Sequence, residues 1–187
     1  MRYIGWQKPL AKNGLLRGKG FSIFVQKEQV QDMTDLEYMK LAIQEARKGI
    51  TNGDGGPFGS VIVKDGVIVG CGHNMVLRNN DATAHGEVSA IRVAGDRLRT
   101  HDLSSTVIYT TGEPCPMCLC AGMWANIDHI YYGCTIDDNE KIGFRDEKFN
   151  DILGIDREFL ADKMTQVGRD ECLALFDEYL SLQHEIY

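Results

Sequence analysis

Apolar side chains recur every three or four residues over residues 34–48, a spacing typical of an amphipathic helix. Thr34 and Glu37 have the spacing of a capping box, which predicts that the helix begins just after Thr34. Gly49 is expected to end it. Beyond a glycine-rich turn, two β-branched runs over residues 59–64 and 67–72 are joined by Asp-Gly. This pattern predicts a β-hairpin.

In the rest of the chain, segments with the apolar spacing of a helix alternate with short β-branched segments typical of strands. Further helices are predicted over residues 84–97, 116–126 and 171–183, and further strands over 106–111 and 127–132. Residues 137–140 are predicted to be a solvated loop, and residues 147–154 a short helix or an ordered loop. The last helix is expected to bury Cys172, Leu175, Phe176, Tyr179 and Leu180. The order of elements predicts an α/β fold with helices on both faces of one sheet.

Composition narrows the class of protein. The 187 residues are 43% apolar and 25% charged, and no apolar run is long enough for a membrane span. Residues 1–32 carry six basic and two acidic side chains, whereas the remainder is strongly acidic and the net charge is −7. We interpret residues 1–32 as an N-terminal extension without the apolar region of a secretion signal, and residues 33–187 as one domain. The acidic domain disfavours a nucleic-acid partner.

Six cysteines, in a chain of this size without a secretion signal, favour metal binding in a reducing compartment such as the cytoplasm over a disulfide framework. Four of them are predicted to be buried in the core: Cys71, Cys120, Cys134 and Cys172.

The other two cysteines belong to a candidate metal site. Cys115 and Cys118 are three residues apart at a predicted helix start, which places both thiols on one face of a helical turn. His85 begins the preceding helix. Three protein ligands of these types are typical of catalytic zinc, which keeps its fourth position for water. The sequence therefore predicts a Zn²⁺ site formed by His85, Cys115 and Cys118.

Glu87 lies two residues beyond His85 and is expected to lie beside the metal rather than to bind it. Zinc lowers the pKa of bound water from about 15.7 toward about 7. A neighbouring carboxylate can take that proton and pass it to a leaving nitrogen, so Glu87 is the candidate catalytic residue. A closed structural site completed by Cys120 or His73, and a redox-active Cys-x-x-Cys pair, are the alternatives.

His85-Gly86-Glu87 together with Pro114-Cys115-Pro116-Met117-Cys118 forms the signature of zinc deaminases that act on nucleobases. Over residues 34–187 the chain resembles the cytidine deaminase-like superfamily. The resemblance implies a three-layer α-β-α sandwich around a five-stranded mixed sheet, and a dimer or larger assembly. It also implies hydrolytic loss of ammonia from a ring carbon, with Glu87 transferring the protons.

Within that superfamily the chain looks most like bacterial guanine deaminases, which convert free guanine to xanthine and ammonia. The matching segments are the Gly-Gly-Pro-Phe-Gly run at 55–59 and Gly-Phe-Arg-Asp at 143–146. The resemblance implies that Asn74 and Asp146 contact the base. It also implies that Tyr187 caps the pocket, often across a homodimer with exchanged C-terminal segments. Phe58 is a candidate stacking or wall residue, or a core residue.

At two places the sequence departs from the guanine deaminase pattern, and these departures leave other substrates as alternatives. Glycine at position 86 and the Gly-His-Asn-Met run at 72–75 are more like fungal cytosine deaminases, which makes cytosine or isocytosine the leading alternative. A tRNA adenosine deaminase is the next alternative, and a non-enzymatic zinc-stabilised assembly module is the last.

Overall fold

The computed structural model describes residues 33–156, 158 and 160–182. The predicted N-terminal extension and Tyr187 lie outside the described residues. The helices are α1 (Asp35–Asn52), α2 (Val76–Asn79), α3 (Gly86–Leu98), α4 (Pro116–Trp124), α5 (Ile136–Lys141), α6 (Asp146–Leu153) and α7 (Arg169–Ser181). The strands are β1 (Gly59–Lys64), β2 (Val67–His73), β3 (Val107–Gly112), β4 (His129–Cys134) and β5 (Met164–Gln166). Among the helices in this part of the chain, none has the length and apolarity needed to cross a membrane.

The five strands form one mixed sheet in the order β2-β1-β3-β4-β5. Strand β1 is antiparallel to β2 and β3, whereas β3, β4 and β5 run parallel. The predicted hairpin between β1 and β2 is confirmed. Asp65 and Gly66 both have positive φ (49° and 75°), as a two-residue turn between twisted strands requires.

Helices cover both faces of the sheet and enclose two separate apolar clusters. Because successive strand side chains point to opposite faces, Val61 and Val63 pack with α1 and α7, while Ile62 packs with α3 and α4. The three-layer α-β-α sandwich and its five-stranded mixed sheet are therefore confirmed.

The first helix begins as predicted but ends later. The Thr34 hydroxyl and the Glu37 carboxylate form the capping box, each accepting from the other's backbone N–H. Gly49 does not end α1, because the helical hydrogen bonds continue to Asn52. Gly53 ends the helix in the left-handed conformation, with φ of 69°.

The largest correction concerns residues 137–140. The sequence predicts a solvated loop, but these residues belong to α5, and Asp138 and Asn139 are buried. Thr135 caps this helix through a capping box with Asp138. Arg169, at the start of α7, donates two hydrogen bonds to the Asp138 carboxylate, at 2.9 and 2.8 Å. A buried carboxylate needs such partners, and they draw the acidic segment into the fold.

Smaller corrections concern the burial of three side chains and the conformation of one short segment. Cys134 and Cys172 are buried as predicted, but Cys71 is half-buried and Cys120, on α4, is exposed. Leu180 is also exposed, unlike the other four apolar residues predicted for the buried side of α7. The segment 147–154 is a helix, α6, rather than an ordered loop.

Candidate active site

The candidate metal ligands lie at the starts of two neighbouring helices. His85 is the N-cap of α3 and Cys115 is the N-cap of α4, and both have extended backbones with ψ of 161° and 164°. Cys118 lies within the first turn of α4. The start of α3 is held close to the sheet by glycine, since a Cβ at Gly72 would lie 2.6 Å from the Ala90 nitrogen.

The two nitrogen–sulfur separations in the ligand group match those of tetrahedral zinc. Nδ1 of His85 lies 3.6 Å from Sγ of Cys115 and 3.5 Å from Sγ of Cys118, and all three atoms lie within 4.8 Å of one another. Bonds of about 2.0–2.1 Å to nitrogen and about 2.3 Å to sulfur place tetrahedral N and S ligands about 3.6 Å apart. The donor set therefore fits one zinc ion.

The electrostatics of the group favour a cation. The hydrogen bond with Cys118, together with His85, lowers the pKa of the Cys115 thiol to about 4, so that a thiolate is favoured. Burial opposes a charge on His85, yet Cys115, Glu87 and Asp146 together raise its pKa to about 9. The site thus stabilises positive charge at the point where the ligand atoms converge, and thiolate is the form of cysteine that binds metals.

Glu87 is the second residue of α3 and lies beside the ligand group. Its side chain is buried, and its Oε2 lies 3.4 Å from Sγ of Cys118, from which it accepts a hydrogen bond. Burial and the negative charge of Cys115 raise the pKa of Glu87. Glu87 is not one of the three converging ligands, which leaves its carboxylate adjacent to the metal position.

A cavity of about 960 Å³ opens onto this group. The polar and charged side chains in its wall are those of His85, Cys115, Cys120, Arg145 and Asp146, and the remaining wall is apolar. The apolar wall comes mainly from α4 and from the segment around α6, and its members are Val76, Ala82, Pro116, Met117, Ala121, Trp124, Phe144, Phe149, Leu153 and Ile155. A mostly apolar cavity with a few convergent polar groups is typical of a small-molecule site.

Asp146, predicted to contact the base, is the first residue of α6 and lines this cavity. Burial and the negative charge of Cys115 raise its pKa to about 6. Its Oδ2 accepts a hydrogen bond from Nδ2 of Asn139 at 3.0 Å. The same carboxylate therefore faces both the cavity and the interior of the protein.

Asn74 follows β2 directly and is buried with 1% exposure. Its backbone N–H donates to the Phe58 carbonyl, and its Oδ1 accepts from the Val76 N–H at 3.1 Å, which begins α2. Gly55 packs against the amide, because a Cβ there would lie 2.1 Å from Oδ1 of Asn74. The position of Asn74 is thus fixed by the glycine-rich turn before β1.

Phe58 lies behind the cavity wall rather than in it. Its ring packs edge-to-face against Phe144 at 4.7 Å and against Phe176 at 5.7 Å, at the edge of the cluster between the sheet, α1 and α7. Phe144 lines the cavity and receives this support. Sequence reasoning missed Phe144, although it is part of the same Gly-Phe-Arg-Asp segment that identified Asp146.

The buried amide of Asn139 was also missed. Its acidic neighbours gave the segment the appearance of a solvated loop, and the only sequence signal against that prediction is Thr135 three residues before Asp138, the spacing of a capping box.

Comparison with known proteins agrees with this site. The chain belongs to the family described as the cytidine and deoxycytidylate deaminase zinc-binding region, whose model matches residues 32–134. The matched region contains the whole ligand group and Glu87. The chain is therefore a member of a zinc-dependent deaminase family.

More specific similarities divide between two kinds of deaminase. The guanine deaminase of Bacillus subtilis (strain 168) is 46% identical over 109 residues, covering 58% of this chain and 70% of that protein. A tRNA-specific adenosine deaminase of Buchnera aphidicola subsp. Schizaphis graminum is 31% identical over 145 residues, covering 78% and 93%. A crystal structure of NE0047 in complex with 2,6-diaminopurine is similar with a TM-score of 0.70 and 30% identity, covering 82% and 85%.

Proposed function

We propose that this chain hydrolyses guanine to xanthine and ammonia at the cavity formed by α3, α4 and α6. The observation that carries the proposal is the presence of His85, Cys115 and Asp146 in the walls of one cavity. A metal group and a recognition carboxylate therefore face the same space. Support also comes from the similarity to a guanine deaminase and to a structure that binds a diaminopurine.

His85, Cys115 and Cys118 would hold zinc through one nitrogen and two sulfurs. When bound, zinc supplies a Lewis acid that makes water nucleophilic near neutral pH. Glu87, whose Oε2 lies beside the Cys118 ligand, is placed to take a proton from that water. The same carboxyl would then give this proton to a ring nitrogen, take the second proton from the hydroxyl group that has added to the ring carbon, and give it to the amine, which leaves as ammonia.

Recognition of guanine is assigned to the carboxylate of Asp146 and the amide of Asn74. A carboxylate accepts hydrogen bonds from ring and exocyclic N–H groups, and an amide can both donate and accept. A base that cannot pair with these buried groups leaves them without hydrogen-bond partners. The resulting loss of affinity is much larger than a difference in shape alone would cause. The apolar wall provides surface for the faces of a flat ring.

We also propose that the chain acts in the cytoplasm as a homodimer. In this dimer the C-terminal segment, with Tyr187, caps the proposed guanine-binding cavity, either of its own chain or of the partner. Trp124, Ile152 and Leu153 are strongly exposed at or near the cavity rim, with 87%, 69% and 62% exposure. Apolar side chains concentrated at one rim are typical of an interaction surface. Deletion of Tyr187 should slow guanine turnover without changing zinc content, and sedimentation measurements test the dimer.

The test of the function is ammonia release by the zinc-loaded full chain from guanine, isocytosine, cytosine, cytidine, adenine and a tRNA anticodon stem. We expect turnover of guanine. Activity on single-ring bases alone would replace guanine with cytosine or isocytosine, and activity on the tRNA stem alone would support the tRNA alternative. Release from none of them would refute the proposed reaction.

A further inference from the structure

The side chain of Asn139 connects the two halves of the proposed active site. Its Nδ2 donates to Oδ2 of Asp146 at 3.0 Å and to the backbone carbonyl of Glu113 at 3.3 Å. Asp146 lines the cavity, and Glu113 lies two residues before the metal ligand Cys115. One amide group therefore contacts both the proposed recognition carboxylate and the chain segment that carries a metal ligand.

The orientation of this amide is determined by its surroundings. Both partners of Nδ2 are oxygens that act as acceptors, so the opposite orientation would place three oxygens together. On the other side, Oδ1 of Asn139 lies over Gly112, where a Cβ would come within 2.9 Å of it. Asn139 is 1% exposed, so solvent does not compete for the hydrogen bonds of its amide.

The backbone of Asn139 is held equally firmly. Its N–H donates to the Thr135 carbonyl at 3.0 Å, and its carbonyl accepts from the N–H of Phe144 at 3.1 Å. The preceding residue, Asp138, is fixed by the two hydrogen bonds from Arg169. Asn139 thus contacts Asp146 through its side chain and Phe144 through its backbone, and both of these residues line the cavity.

The amide also has a cost that a purely structural residue would avoid. Oδ1 of Asn139 is buried without a hydrogen-bond partner among the described residues. An unpaired buried oxygen is unfavourable, and an aliphatic side chain of similar size would not have one. An amide is needed at this position only if something must be held by its N–H groups.

We propose that Asn139 is a positioning residue for base recognition. Its amide holds the Asp146 carboxylate at a fixed distance from the metal-ligand segment, so that the base bound by Asp146 presents its reacting carbon to the metal site. The proposal rests on the proposed function, because it assigns Asp146 to recognition of the base. Asn139 itself contacts neither substrate nor metal in this arrangement.

The test is a double-mutant cycle with zinc-loaded full-length protein. Asn139→Leu, which keeps the branched shape of the side chain, and Asn139→Ala should each lower kcat/KM for guanine roughly 10- to 100-fold, mainly through KM, because a small misplacement has effects of this size. Zinc should stay at one per chain. In the Asp146→Asn background the same substitutions should change kcat/KM less than twofold, because the positioned carboxylate is already lost.

Asn150→Ala is the matched control. Asn150 is also a buried asparagine on a neighbouring helix, but its Nδ2 has no hydrogen-bond partner in the described part of the chain. We expect this variant to keep kcat/KM within about twofold, provided that it unfolds cooperatively like the wild type.

An unchanged kcat/KM in both Asn139 variants, or an equal loss with and without Asp146→Asn, would overturn the positioning role. If guanine is not a substrate, the cycle is run on the base that the protein does convert. If no base is converted, the proposed function fails separately. Crystal structures of the zinc-loaded wild type and Asn139→Leu then decide the positioning role, which requires the Asp146 carboxylate to move when the amide is removed.

Discussion

The metal-binding part of the site and its proposed base-binding part are built in different ways. The three metal ligands begin two consecutive helices and lie within 33 residues of one another in the sequence. The proposed recognition residues, Asn74 and Asp146, come from segments on either side of that stretch, and each is held by tertiary contacts. The chemistry of the site therefore depends on local helix geometry, whereas recognition depends on the packing of distant segments.

This difference implies two kinds of response to substitution. Changes in the metal-binding part should abolish zinc binding or proton transfer, whatever the substrate. Changes in the base-binding part should leave zinc in place and alter KM and the choice of base.

The largest effect is expected from Cys115→Ala. Removal of one of three ligands should abolish tight zinc binding and reduce guanine turnover to the level of the uncatalysed reaction. Metal analysis of purified protein measures the first effect, and ammonia release measures the second. Cys120→Ala is the matched control: its thiol is exposed and is not among the converging ligands, so zinc should be retained. Full zinc content in Cys115→Ala would contradict the ligand assignment.

Glu87→Gln should produce the next largest effect and should separate metal binding from catalysis. The amide keeps the size of the side chain but cannot accept and return a proton. We expect zinc to stay near one per chain while kcat falls by about 10²- to 10⁴-fold. A variant that keeps wild-type kcat would remove Glu87 from proton transfer.

A smaller effect, confined to recognition, is expected from Gly55→Ala. The added Cβ would lie 2.1 Å from Oδ1 of Asn74, so the recognition amide must move. Guanine kcat/KM should fall roughly tenfold, with zinc content unchanged. Gly122→Ala, on the helix that carries Cys118, has space for a methyl group, with its nearest neighbour at 4.0 Å, and should be nearly neutral. Equal activities of the two variants would disprove the support that the glycine-rich turn gives to Asn74.

The smallest expected effect concerns His73, which precedes Asn74. Its Nε2 lies 3.0 Å from Oδ2 of Asp54, and its Nδ1 lies 3.8 Å from Oε2 of Glu45. The nearby carboxylates of Glu45 and Asp54 raise the pKa of His73, and the imidazole in turn lowers the pKa of Glu45. The imidazolium therefore links α1, the turn after it and the end of β2.

A raised histidine pKa stabilises the fold fully below about pH 6.5, and this contribution is lost as pH rises through the folded-state value. The contribution of Glu45, with its lowered pKa, is present above about pH 4.5 and is lost only in more acidic solution. We expect His73→Gln to lower the free energy of unfolding by about 0.5–1 kcal/mol at pH 6 and by less at pH 9. Urea unfolding at both pH values measures this difference; a larger loss at pH 9 would contradict the charged link.

The same contrast explains which features of the fold and the site could be predicted from the sequence alone. Helix caps and Asp-Gly turns act over a few residues, so the hairpin, the start of α1 and the two helix starts that carry the metal ligands could be predicted. Phe144 and Asn139 could not, because their roles depend on contacts with Phe58, Gly112 and Glu113, which are distant in the sequence.

The acidic segment that contains α5 shows why composition misleads in such cases. Charged residues usually indicate solvent exposure. Here the Asp138 carboxylate is 2% exposed, because Arg169, Thr135 and Lys141 donate to it. The arginine that makes the burial possible lies 31 residues further along the chain. Only the folded arrangement brings the charge and its partner together.

X-ray absorption at the zinc K-edge of the purified full-length protein tests the central claim most directly, because it counts the sulfur ligands. The account predicts two sulfurs at about 2.3 Å and two nitrogen or oxygen neighbours at about 2.0–2.1 Å, one from His85 and one from water. Three or four sulfurs around the ion, or metal-replete protein without zinc, would contradict a site with an open catalytic position.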